Sequence, residues 1–146
     1  FWTRVLAGRS AQVIGNPDMP HTYHYIPDVA AALAALGTGP ENALGRVWML
    51  PCAPAVTTRE FIARMGAALG RDLQVKRFPC WLFRVLKPVV PVFRELDEML
   101  YQWDEPFVVD DRRFRERFGS TVRVTSLAEG APATVAWARK HYGVVR

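Results

Sequence analysis

Hydrophobic positions along this chain change period several times, and each change marks an element. Trp2, Val5 and Leu6 stand at helical spacing with Gly8 behind them as a stop, which predicts a short opening helix. Ala11 to Ile14 is a brief apolar run closed by Gly15-Asn16-Pro17-Asp18, the composition of a strand followed by a turn. Residues 22 to 26 favour strand again, because Thr, Tyr and Ile fit a pleated, half-buried surface. Pro27 suits the first helical position, where its missing N–H costs nothing, and Asp28 puts a negative charge in the first turn beside free N–H groups. Gly37 stops that helix, whose alanines Ala30, Ala31, Ala32, Ala34 and Ala35 make it narrow enough to lie close against a sheet.

Val47-Trp48-Met49-Leu50 is apolar on both faces and reads as a strand covered on both. Thr57 and Glu60 have the spacing of a capping box, so a helix is expected there, with Phe61, Ile62, Met65 and Leu69 on its apolar stripe and Gly70 at its end. Leu73 to Phe78 predicts a short strand, and Pro79 opens a helix bearing Trp81, Leu82, Val85 and Leu86 that Pro88 and Pro91 break. Phe93, Leu96, Leu100 and Trp103 mark another helix ended by Pro106, and Phe107 to Val109 is a brief strand. Asp110 is the expected N-cap of a helix with Phe114 and Phe118 inward and Gly119 as its stop. Ser126 and Glu129 repeat the capping-box spacing before a last helix bearing Val135, Ala138 and Tyr142. There Pro132 predicts either a kink or a later start. Strands and helices alternate at first and helices dominate later, an α/β order with few short strands and several helices.

At 146 residues, half of them apolar, the chain has the size and the oil for one domain, residues 1–146. No apolar run reaches the length of a membrane span and the first residues lack the features of a signal peptide, so the expectation is a soluble, cytoplasmic protein without a membrane partner. The chain begins with Phe inside a helical pattern, which reads as a piece of something longer. Cys52 and Cys80 are too few for a disulfide framework. The net charge of +5 raises nucleic acid as a partner, but the densest basic group, Arg112, Arg113, Arg115 and Arg117, is interleaved with Asp110, Asp111 and Glu116 and reads as a solvated helix face.

Chemistry is thinner. His21, His24, His141, Cys52 and Cys80 include metal-ligand types, yet no C-x-x-C pair or H-E-x-x-H helix is present, so no metal ligands are assigned. Neither G-x-G-x-x-G nor G-x-x-x-x-G-K-[ST] occurs, so no phosphate-cradling loop is assigned either.

The stretch VIGNPDMPHTYHYIPDVA, residues 13 to 30, with AGR before it, resembles the later part of the extended short-chain dehydrogenase/reductase family, the NAD(P)-dependent epimerase/dehydratases. VWMLP and TTREF, residues 47–51 and 57–61, and EMLYQWDEPFVVD, residues 98–110, are similar to later segments of the same branch. The resemblance implies the carboxy-terminal, substrate-side portion of a Rossmann-type fold with its nucleotide-binding half absent. It implies NAD or NADP as cofactor of the complete enzyme and none for this chain alone. The family's glycine-rich loop and Tyr-x-x-x-Lys pair have no counterpart here: Tyr101 is followed four residues on by Glu105, Tyr23 by Pro27 and Tyr25 by Val29. No catalytic residue is therefore carried over, and the chain alone is expected to be inactive.

His21, Thr22 and Tyr23 would then help form the wall of a small-molecule site, its ligand a sugar nucleotide or another carbonyl or hydroxyl compound. The plainer reading of the same stretch is that Tyr23 and Tyr25 share one face of a strand and pack in the core, His24 faces the other way, and Asp28 caps a helix. Bare strand edges at residues 23–26 and 47–50 predict self-association or capture of the missing half. The competing functional reading is a non-catalytic basic module for an acidic partner or nucleic acid, which salt-dependent retention on nucleic acid would distinguish.

Overall fold

The computed structural model describes residues 1–79, 85, 88, 90 and 99–142. In chain order the described elements are α1 (Trp2–Leu6), β1 (Ala11–Val13), β2 (Pro20–His21), α2 (Ile26–Gly37), a 3-10 turn (Glu41–Ala43), β3 (Val56–Thr57), α3 (Thr58–Leu69), β4 (Val75–Arg77), α4 (Tyr101–Asp104), α5 (Arg112–Phe118) and α6 (Leu127–Tyr142). β1 and β4 pair in parallel, Ala11 opposite Val75, and β2 and β3 pair antiparallel, Pro20 opposite Thr57. The result is mixed α/β with few, short strands.

Local signals set the helix ends. Thr57 Oγ1 accepts from the Glu60 N–H at 3.1 Å while Glu60 Oε2 accepts from the Thr57 N–H at 2.9 Å, so the capping box that opens α3 is closed in both directions. Gly70 ends α3 at φ 77°, a left-handed position that suits glycine. Ser126 and Glu129 make the same reciprocal pair at the start of α6. α6 begins at Leu127 and runs through Pro132, rather than starting there.

Two apolar clusters organise the interior. Val5, Ala11, Ile62, Met65, Leu73, Ala131 and Val135 join α1, β1, α3 and α6. Ala32, Ala43, Phe114, Phe118 and Val122 join α2 to α5, with Trp48 and Leu50 packed against them. Phe114 and Phe118 thus point inward as their spacing predicts, whereas Tyr142 lies exposed.

Several expectations are corrected. Residues 22–25 form no strand; β2 stops at His21, and the Val109 N–H bonds to Thr22 Oγ1 at 3.0 Å, a side-chain acceptor standing where a ladder would use a backbone carbonyl. Val47–Leu50 also forms no strand. Trp48 and Leu50 turn toward the Phe114 cluster, but Val47 is 77% and Met49 54% exposed, so one of the two apolar faces is bare. Of the α2 alanines, Ala32 and Ala35 join the Phe114 and Phe118 cluster instead of a sheet, and Ala30, Ala31 and Ala34 are exposed. Phe107 makes an isolated bridge to His21 and no strand. Asp111, not Asp110, is the N-cap residue of α5, and its own side chain makes no cap bond; the Asp110 carboxylate instead takes the backbone N–H of Arg112, the first residue of α5, together with the Arg112 side chain, which holds the Asp110 pKa down at about 2. The helix expected from Pro79 and the first part of the helix expected from Phe93 fall outside the described residues.

Candidate cavity between three helix entrances

A cavity of roughly 460 Å³ opens where the starts of α2, α3 and α6 converge. The segment Tyr23–Pro27 supplies one wall, Phe61 and Met65 of α3 another, and Gly130, Ala133, Thr134 and Trp137 of α6 a third, with Ala53, Pro54 and Val56 closing the rim.

The geometry follows from how each entrance is tied. Pro27 fixes the backbone angle at the start of α2, and Tyr25 ahead of it is extended (φ −84°, ψ 119°), which carries the chain past the cavity mouth. Asp28 does more than sit near the α2 dipole. Its carboxylate is buried and accepts from the Thr125 N–H at 2.6 Å and the Thr125 hydroxyl at 2.8 Å, joining the first turn of α2 to the residues that lead into α6. Tyr23 stacks on Phe61, centroids 4.2 Å apart and planes 17° apart, and its hydroxyl pairs with Thr58 Oγ1 at 2.7 Å. Burial pushes the Tyr23 phenol above its ordinary pKa, and the Thr58 hydrogen bond only partly opposes that.

Of the three side chains singled out in the sequence, Tyr23 lines the cavity; His21 and Thr22 lie beside it and are not among its lining residues. His21 is 5% exposed, stacks on Trp103 with centroids 5.5 Å apart, and has Nδ1 3.0 Å from the Met19 carbonyl and Nε2 2.8 Å from the Gln102 carbonyl. Each ring nitrogen thus lies within hydrogen-bond distance of a backbone carbonyl, and whichever carries the N–H donates to it. The Thr22 hydroxyl is held by the Val109 N–H. Tyr25 and His24 do not alternate in and out as on a strand: both line the cavity.

Trp137 is a wall residue that the stripe of Val135 and Ala138 does not mark. Its signal is a second face on α6, where Gly130, Ala133 and Trp137 recur at three and four residues.

A second polar cluster is built on Cys52, the residue before Ala53 of the lining. Asp111 Oδ2 accepts from the Cys52 N–H at 3.0 Å, and Arg115 bonds both Asp111 and the Cys52 carbonyl, the latter at 2.6 Å. Burial and the Asp111 charge push the Cys52 thiol up, which suits an unreactive core thiol. The other α5 arginines are also engaged: Arg112 with Asp110, Arg117 with Asn42, and Arg113 over the Trp48 ring at 4.9 Å. Among the described residues no group of three metal-capable side chains comes together, and no helix is long and apolar enough to cross a membrane.

The sequence matches no protein-family model and no curated protein. The fold does have a counterpart among solved structures, a UDP-glucuronic acid 4-epimerase from Bacillus cereus in complex with NAD, with a TM-score of 0.69 at 13% identity. The overlay covers 97% of this chain and 37% of that one. At that identity the likeness establishes a shared fold, and this chain spans little more than a third of that protein's length.

Proposed function

We propose that these 146 residues form the carboxy-terminal, substrate-side portion of an NAD(P)-dependent epimerase, dehydratase or reductase, and that the cavity between α2, α3 and α6 belongs to its substrate side. The observation that carries this reading is the overlay of 97% of the chain on little more than a third of an NAD-bound epimerase. A chain of that extent supplies one side of an active site. The other side, with the phosphate-cradling loop and the proton-carrying tyrosine, belongs to the nucleotide-binding half.

The chemistry of the walls agrees with that division. A tyrosine that carries a proton in hydride exchange needs a lowered phenol pKa, which a neighbouring lysine supplies. Tyr23 is shifted the other way, by burial, and its hydroxyl is held by Thr58. It serves as wall. His21 and Thr22 act through position: stacked on Trp103 and tied to Val109, they fix the backbone that delivers Tyr23, His24 and Tyr25 to the cavity.

Titration with NADH tests the reading. The 146-residue chain gives no saturable fluorescence change at micromolar concentration, whereas a longer protein that includes the residues encoded ahead of Phe1 does. Saturable micromolar binding by the shorter chain, or none by the longer one, refutes it. The exposed Leu44, Val47, Met49, Phe107 and Val108 are the surface through which the chain associates with itself or with the nucleotide-binding half. A single monomer species in sedimentation at micromolar concentration, without dye binding, counts against that part.

A further inference from the structure

Among the described residues, none that lines the cavity is Lys, Arg, Asp or Glu; His24 is on the wall with Nε2 3.3 Å from the Leu50 carbonyl, and the walls are mainly carbon, from Ile26, Pro54, Phe61, Met65, Leu127 and Trp137. The three helix N-termini around it, each of which would ordinarily attract a phosphate, already carry their own acids. Asp28 occupies the first turn of α2, Glu60 closes the capping box of α3, and Glu129 closes that of α6.

Most polar side chains on the wall are also engaged. The Tyr23 hydroxyl pairs with Thr58, the Thr125 hydroxyl donates to Asp28, the Ser126 hydroxyl to Glu129 and the Thr134 hydroxyl to the Gly130 carbonyl. The Tyr25 hydroxyl and the Trp137 indole N–H make no hydrogen bond among the described residues.

We infer that this cavity takes an uncharged, predominantly hydrocarbon alcohol or ketone, and not the diphosphate of a sugar nucleotide. The inference rests on the reading of the cavity as the substrate side and names its substrate class. A diphosphate placed here would meet no Lys or Arg among the described wall residues, and the helix N-termini beside it, which could otherwise receive it, already hold Asp28, Glu60 and Glu129 in their first turns. A ring system with one hydroxyl or carbonyl oxygen buries its carbon against Phe61, Met65 and Trp137 and leaves that oxygen for Tyr25 or the Trp137 N–H, the usual division between an apolar site and a few polar anchors.

The test uses Nile red, an uncharged aromatic dye that brightens in apolar surroundings, with the 146-residue chain. The expected result is saturable emission that UDP-glucuronic acid at about millimolar concentration does not displace, a range far above what a specific site requires. Ala133→Phe on α6 and Ala53→Phe on the rim each fill the cavity from a different wall and weaken dye binding about tenfold or more. Ala128→Phe, exposed on the same helix and outside the lining, leaves it unchanged. Circular dichroism checks that each variant folds, and the two filling positions guard against a defect in either one. Equal dye binding by the wild type and both filling variants overturns the inference, since the dye then sits on another apolar surface. Displacement by UDP-glucuronic acid overturns it too, as does dye binding that falls away as protein concentration drives self-association, because a second copy is then the occupant. None of these readouts uses a nicotinamide, so failure here and failure of the NADH titration are separate results.

Discussion

Asp28→Asn strikes the contact that ties two walls of the cavity together. Asp28 is 9% exposed and its two oxygens accept from the backbone N–H and the hydroxyl of Thr125, at 2.6 and 2.8 Å. An asparagine can keep both contacts only as neutral bonds, its Oδ1 accepting from the Thr125 N–H and its NH₂ donating to the Thr125 hydroxyl oxygen. Two charge-assisted bonds are thereby replaced by two weaker neutral ones. Hydrogen bonds to charged groups contribute about 1.5–3 kcal/mol, so the expected loss is about 2–3 kcal/mol. For a chain of this size that corresponds to a fall in Tm on the order of 4–12 °C. Thr125→Val removes only the hydroxyl donor to that carboxylate and should cost about 1.5–3 kcal/mol. Because the two side chains share that bond, the double variant should be less destabilised than the sum of the singles by about 1 kcal/mol. Thermal and urea melts followed by circular dichroism measure all three. A melting point for Asp28→Asn within about a degree of wild type, or strictly additive losses, would refute the claim that this carboxylate joins α2 to the entrance of α6.

Asp28 also illustrates what could and could not be read from the sequence. Its place in a first helical turn follows from three neighbouring residues, but its partner is 97 positions away and nothing in the local pattern points to Thr125. The capping boxes at Thr57 and Ser126 and the stop at Gly70 were legible for the same reason that Thr125 was not: their donors and acceptors are three or four residues apart. β1 and β4 were visible as short candidate strands, while their parallel pairing depends on the helices between them. At Val47–Leu50 composition misleads. Four apolar residues in a row read as a strand buried on both sides, yet only the Trp48 and Leu50 side finds a partner. The aromatic stretch at Tyr23–Tyr25 stood out, but strand alternation would have sent His24 away from its neighbours. The Thr22 hydroxyl interrupts the ladder, and all three rings reach the cavity. Its opposite wall, Trp137, comes from a helix face whose members are mostly small, which hydrophobic periodicity passes over.

Gly15 and Gly70 both have positive φ, 73° and 77°, but a Cβ on Gly15 would lie 2.4 Å from Trp103 Cβ and 2.8 Å from its carbonyl oxygen, whereas one on Gly70 meets open space. Gly70→Ala should therefore cost about 1 kcal/mol of backbone strain, and Gly15→Ala at least about 1 kcal/mol more in denaturant melts; equal losses would mean that the Trp103 contact is not as described. Thr57→Ala removes the oxygen that receives the Glu60 N–H and should cost about 1 kcal/mol, whereas Thr57→Ser, which keeps the oxygen, should recover most of it. The last prediction concerns acid. Burial raises the Asp111 pKa, but the Arg115 side chain and the Cys52 N–H outweigh it and the net shift is downward from 3.8. The unfolded chain therefore binds that proton first. The resulting stabilisation is present above the ordinary carboxylate range and is lost as pH falls below it, through the depressed folded-state value. Melts in steps from about pH 6 to about pH 3 should show wild type losing stability toward acid more steeply than Asp111→Asn. The difference should persist in high salt, because the Asp111 side chain is only 12% exposed and its pairing with Arg115 is screened less than a surface ion pair. Parallel acid profiles for the two proteins would show that the Asp111 carboxylate gains nothing from Arg115 and Cys52 in the folded state.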